Sequence, residues 1–94
     1  MSFPITAFIV DYHGEVQGVG FRYTVLRLAQ RYAVTGYVKN MPDGTVHLYA
    51  EGTQAEIDAL LHDIRHGPHA HYITEVQTQP AVASGTHRDF SIAF

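Results

Sequence analysis

The sequence predicts an α+β fold, a ferredoxin-like α/β sandwich in the order βαββαβ plus a short C-terminal strand, with two helices on one face of a mainly antiparallel sheet. Three observations predict it. Two segments repeat their apolar residues with the helical period, several others alternate them with the two-residue period of a strand, and Pro42-Asp43-Gly44 supplies turn chemistry between two of the latter. A length of 94 residues suits one hydrophobic core, so one domain over residues 1–94 is expected.

From Ile5 to His13 the side chains alternate, with Phe8, Val10 and Tyr12 on one face and Ile9, Asp11 and His13 on the other, which predicts a half-buried strand. Phe21, Val25, Leu28, Ala29 and Tyr32 then fall on one side of a helix over Phe21 to Ala33, opposite Arg27, Gln30 and Arg31. Thr35 to Met41 and Thr45 to Ala50 read as the two strands of a hairpin around Asp43-Gly44. Thr53 and Glu56 form a capping box ahead of Ile57, Leu60, Leu61 and Ile64, and Gly67-Pro68 stops that second helix. Tyr72 to Gln79 alternates again as a fourth strand with one largely polar face. After a loop, Phe90, Ile92 and Phe94 mark one face of a last strand over Asp89 to Phe94.

Composition narrows the chemistry. Hydrophobic residues make up 46% and charged residues 16%, the balance of a folded chain. Without cysteine there is no disulfide, thiolate nucleophile or cysteine-held metal. The first residues lack the basic start and cleavage pattern of a signal peptide, and no apolar run nears the roughly 20 residues of a membrane span, so a cytoplasmic protein without membrane contact is expected. A net charge of −3 disfavours nucleic acid as a partner, because Arg22, Arg27, Arg31 and Lys39 are too few for a counterion-releasing face.

The chemistry concentrates in Gly14 to Arg22, GEVQGVGFR. Three glycines permit φ > 0 and close backbone approach, and an arginine stands where the helix begins, so amides and a helix N-terminus can converge on one anion. The spacing GxxxGxG is neither the GxGxxG of a dinucleotide fold nor a Walker A loop, which needs a GK[ST] ending. The expected phosphate-binding set is therefore Glu15, Val16, Gln17, Gly18, Val19, Gly20, Phe21 and Arg22, acting mainly through backbone amides, with the Arg22 fork matching two phosphoryl oxygens. The competing reading of Arg22 is a surface arginine paired with a nearby carboxylate. The side chains of Phe21, Tyr37 and Val38 are assigned to the core.

These residues resemble the acylphosphatase family, whose pattern GxVQGVxFR, then GxVxN, then a DG turn is met here at Gly14 to Arg22, Gly36 to Asn40 and Asp43-Gly44. The resemblance runs from about residue 8 to the end and includes Gly67-Pro68 and the terminal Phe90 to Ile92. It implies metal-independent hydrolysis of the carboxyl-phosphate bond of small acyl phosphates, without a cofactor. With no cysteine-rich segments following, the free-standing form of the family is expected, and a monomer is the default, although an exposed last strand could pair between subunits. The resemblance also implies two catalytic residues, Arg22 binding the phosphoryl group and Asn40 orienting water. Asn40 read alone fits a turn former at a strand end better than a water holder, and it is its spacing from Gly36 in the family pattern that reverses this. A carboxylate leaving group departs without protonation, which agrees with a site that offers no general acid.

Two other readings bear on the chain. A non-catalytic module of the same fold, binding a phosphorylated ligand or RNA, is the alternative; GVGFRYTV faintly resembles an RNA-binding signature but spans a loop and helix start rather than a central strand. The histidines His62, His66, His69 and His71 include a pair spaced for one helical face. With no acidic or cysteine ligand arranged around them, no metal site is assigned, and the resemblance to the acylphosphatase family implies that this helix end lies away from the phosphate loop.

Overall fold

The computed structural model describes residues 3–94. Five strands and two helices follow one another as β1 (Thr6–Gly14), α1 (Phe21–Ala29), β2 (Thr35–Asn40), β3 (Val46–Gly52), α2 (Gln54–Arg65), β4 (Ile73–Ala81) and β5 (Phe90–Ala93). The strands form one sheet in the order β4-β1-β3-β2-β5. Only β5 runs parallel to its neighbour β2, so the expected antiparallel bias holds.

The two-residue period sorts the sheet as predicted. Val10 and Tyr12 of β1, Val38 of β2, and Val46, Leu48 and Ala50 of β3 are buried against Phe21, Val25, Ala29, Ile57, Leu60 and Ile64 of the helices. This packing provides most of the stability, because burying a large aliphatic or aromatic side chain contributes about 1.5–3 kcal/mol. Tyr37 departs from expectation. Its neighbour Val38 takes the core side, so Tyr37 emerges on the opposite face, stacked on Tyr49 at 5.7 Å between ring centroids and close to His87.

The first helix is shorter than its periodicity suggests. It closes at Ala29, and the amides of Arg31 and Tyr32 bond three residues back to Leu28 and Ala29, a tightening that turns the chain toward β2. The Tyr32 hydroxyl, meanwhile, donates to Asp63 on α2. At the start of α2 the capping box is half closed. Thr53 Oγ1 accepts from the Glu56 amide at 3.4 Å, while the Glu56 carboxylate accepts from the Ala33 amide at 3.1 Å and so ties α2 to the end of the α1–β2 turn.

A buried carboxylate stands on the sheet face away from the helices. Glu51, 4% exposed, receives the hydroxyls of Tyr49 (2.6 Å) and Ser84 (2.9 Å) and the amides of Ser84 and Gly85, fastening the β4–β5 loop over β3. The Tyr49 hydroxyl and then the loop donors hold its carboxyl at about 2 against the opposing pull of burial.

Candidate active site

Segment 14–20 leaves β1 and is held at both of its ends by the connection between α2 and β4. The Glu15 amide donates to the Tyr72 carbonyl at 3.0 Å, and His69 Nε2 lies 2.7 Å from the Val19 carbonyl. Gly14 is required for this approach, since a Cβ there would stand 2.0 Å from the Tyr72 oxygen. Gly18 and Gly20 serve a different need. Nothing would obstruct a Cβ at either position, but their φ values of 77° and 80° belong to the left-handed region, which curls the loop.

Gly20 is also the N-cap of α1 and supplies no side-chain acceptor, so the first-turn amides have no capping side chain. The helix dipole and these amides favour an anion at this end. Arg22 and Asn40 meet the loop there. Together with Val16, Gly18, Gly20 and Phe21 they line a cleft of about 110 Å³, and Tyr23 completes the wall. That is below the roughly 300 Å³ at which drug-sized ligands begin to fit, and it suits a single small anionic group.

Arg22 is held by the chain's last residues. Nη1 donates to the Ala93 carbonyl at 3.2 Å, and the guanidinium lies 5.0 Å from the centroid of the Phe94 ring. Among the described residues it pairs with no carboxylate, which removes the competing reading of a surface ion pair. Phe94 was expected on the buried face of β5 but is 88% exposed; β5 ends at Ala93, and the ring turns to cover Arg22. Asn40 ends β2, and its Oδ1 is sealed from bulk solvent without a hydrogen-bond partner among the described residues. Gln17 fixes the turn beside it, Nε2 donating to the Met41 carbonyl at 2.8 Å and the Thr45 carbonyl at 2.9 Å.

The expected phosphate-binding residues divide accordingly. Val16, Gly18, Gly20, Phe21 and Arg22 reach the cleft. Phe21 does so from a buried side chain packed edge-on to Tyr12 at 5.2 Å. Val19 and Gln17 face elsewhere, one packing on the core and the other bracing the hairpin. Glu15 is not among the residues that line the cleft, and its amide donates to the Tyr72 carbonyl.

The histidine segment needs correction at one position. His62 and His66 stack on each other at 4.4 Å near the end of α2, and no group of three ligand-type side chains occurs among the described residues. His69, however, is carried to the phosphate loop by the 3-10 turn Ala70–Tyr72 that follows Gly67-Pro68. Helical spacing could not reveal this. The signal available was the Gly-Pro stop, which shows that the chain changes direction just before His69. Tyr23 and Phe94 left no such mark, being exposed aromatics in a helix and a tail.

No helix among the described residues is long and apolar enough to cross a membrane. The acylphosphatase family model matches residues 8–92. The acylphosphatase of Thermotoga petrophila is 41% identical over 81 residues, spanning 86% of this chain and 89% of its own. The crystal structure of acylphosphatase from Bacillus subtilis superposes with a TM-score of 0.86 at 30% identity, covering 95% of this chain and 99% of its own. Full-length HypF, solved in a phosphate- and nucleotide-bound form, matches with a TM-score of 0.91 at 32% identity, all of this chain aligning with 12% of that larger protein. On these similarities, spread over the strands, the glycine loop and the hairpin alike, the chain belongs to the acylphosphatase family and is an enzyme that hydrolyses acyl phosphates.

Proposed function

We propose that the phosphoryl group of a small acyl phosphate is bound in the cleft at the start of α1 by loop amides between Val16 and Phe21 and by the Arg22 guanidinium, while Asn40 orients the attacking water. The observation that carries this reading is the convergence of Arg22 and Asn40 with Val16, Gly18, Gly20 and Phe21 on one small cleft.

As the water oxygen forms its bond to phosphorus, the bond to the acyl oxygen breaks and its electron pair leaves on the carboxylate, while the water's protons stay with the new inorganic phosphate as dihydrogen phosphate. Such a carboxylate, with a solution pKa near 4 to 5, needs no proton to depart. Charge then spreads over the equatorial phosphoryl oxygens, where preorganised amides and a planar guanidinium stabilise it. Asn40 orients water without adding negative charge beside the phosphate. The reading extends to a monomer that works in the cytoplasm without metal, cofactor or nucleic acid. Its net charge of −3 supports the last of these.

The test is hydrolysis of benzoyl phosphate in the presence of EDTA. Arg22→Ala is expected to reduce kcat/KM by at least about 100-fold, with a higher KM. Asn40→Ala is expected to lower kcat by a comparable factor with little change in KM, since water alignment matters only on the way to the transition state. Wild-type turnover in either variant would refute the role given to that residue, and loss of wild-type activity in EDTA would refute metal independence.

A further inference from the structure

We infer that His69 is a positioning residue that aims the Gly20 amide into the phosphate cleft; the inference rests on the cleft's assignment to the phosphoryl group. His69 Nε2 lies 2.7 Å from the Val19 carbonyl oxygen, and a carbonyl can only accept, so the imidazole donates through Nε2–H. Its Nδ1 is buried and has no hydrogen-bond partner among the described residues, where the ring makes this one polar contact. The ring is wedged edge-on against Phe21 at 5.6 Å and lies 5.9 Å from Tyr72, contacts that fix its direction.

The consequence follows from peptide geometry. No cis peptide occurs among the described residues, and in a planar trans peptide the N–H points opposite to the C=O of the same unit. Anchoring the Val19 carbonyl therefore orients the Gly20 N–H the other way. Gly20 lines the cleft and Val19 does not. The positive φ of Gly20 is one of the two torsions that set this peptide's orientation, and the His69 bond fixes that orientation from outside the loop. The other anchors, the Glu15 amide on the Tyr72 carbonyl and Gln17 Nε2 on the Met41 and Thr45 carbonyls, hold the loop only ahead of Gly18. His69 thus acts on substrate through the backbone and touches no reacting atom.

His69→Phe keeps the ring packing and removes the donor; His69→Gln places an amide N–H close to where Nε2 stood. Binding of inorganic phosphate by titration calorimetry, kcat and KM for benzoyl phosphate, and the phosphate-induced shift of the Gly20 amide in 15N spectra are compared for both, with Arg22→Ala alongside. His69→Phe is expected to weaken phosphate binding about tenfold and to erase the Gly20 shift, and His69→Gln to restore both to within about twofold of wild type. Wild-type phosphate binding in His69→Phe, or a Gln variant as impaired as the Phe variant, overturns the inference. Wild-type phosphate binding in Arg22→Ala instead overturns the cleft's assignment, so the two failures are distinguishable. Imidazole 15N spectra of the unsubstituted protein test the bond even if a variant fails to fold. A proton on Nε2 with Nδ1 bare is expected, and the reverse tautomer refutes the inference.

Discussion

Replacing Glu51 by glutamine isolates the contribution of one buried carboxylate to acid stability. Four donors converge on its Oε1, two hydroxyls and two loop amides, and together they hold the carboxyl at about 2 against an ordinary value of 4.5. At 1.36 kcal/mol per unit this amounts to at most about 3 kcal/mol at neutral pH. For a 94-residue chain, whose whole stability is of order 5–14 kcal/mol, that is a large share. Since the folded value is depressed, the contribution is complete above the unfolded value and drains as pH falls from about 4.5 toward about 2. Roughly 2 kcal/mol of it is lost by pH 3. Urea unfolding followed by far-ultraviolet circular dichroism, at intervals from pH 7 to pH 3, measures the gap between wild type and Glu51→Gln. Effects of the other carboxylates cancel in that difference, so the gap should narrow by about 2 kcal/mol on acidification. A gap that stays constant to within about 0.5 kcal/mol over this range would show that Glu51 is not the group being titrated.

Three further outcomes follow from the site's supports. Phe94→Ala removes the ring beside the Arg22 guanidinium; phosphate affinity measured by calorimetry should fall two- to fivefold, as a contact of about 0.5–1 kcal/mol implies, while the urea midpoint stays unchanged because the ring is 88% exposed. Gln17→Met removes both donors to the β2–β3 turn and should lower stability by about 1–3 kcal/mol, with kcat for benzoyl phosphate falling more than KM rises because the turn carries Asn40. Gly14→Ala drives a Cβ to 2.0 Å from the Tyr72 carbonyl and should cost more than about 3 kcal/mol in urea unfolding; a loss below 1 kcal/mol would mean that the segments are less closely joined than the geometry requires.

Some of this was legible in the sequence because local physics decides it. The apolar alternation of β1 and β3, the helical spacing of α1 and α2, the Asp43-Gly44 turn and the Thr53 cap each record a requirement satisfied within a few residues, and each element formed. The departures share a different cause. Glu56 capped Ala33 rather than its own helix and Tyr37 faced away from the core, each for a partner distant along the chain, while α1 stopped short of Ala33 by a local tightening onto Leu28 and Ala29. Glu51 is the extreme case. As an acid in an alternating strand it reads as an ordinary solvent-facing residue, and only the β4–β5 loop, more than 30 positions on, buries it.

The same division runs through the proposed site. Arg22 and the glycines stand out in the sequence because their chemistry is intrinsic: a fixed charge, a fork of donors, and φ values that few other residues adopt. Their supports could not, because each reaches the loop from a separate part of the chain. The tail holds Arg22 through Ala93 and Phe94, the α2–β4 connection holds the loop through His69 and Tyr72, and Gln17 ties the loop to the hairpin that presents Asn40. A site that uses so few chemical groups depends heavily on their placement, since preorganised dipoles contribute to catalysis only while they stay aimed at the developing charge. Substitutions at these supports should therefore degrade phosphate binding and turnover by smaller factors than Arg22→Ala, but by measurable ones, although none of the supporting side chains contributes a charge or a proton to the reaction.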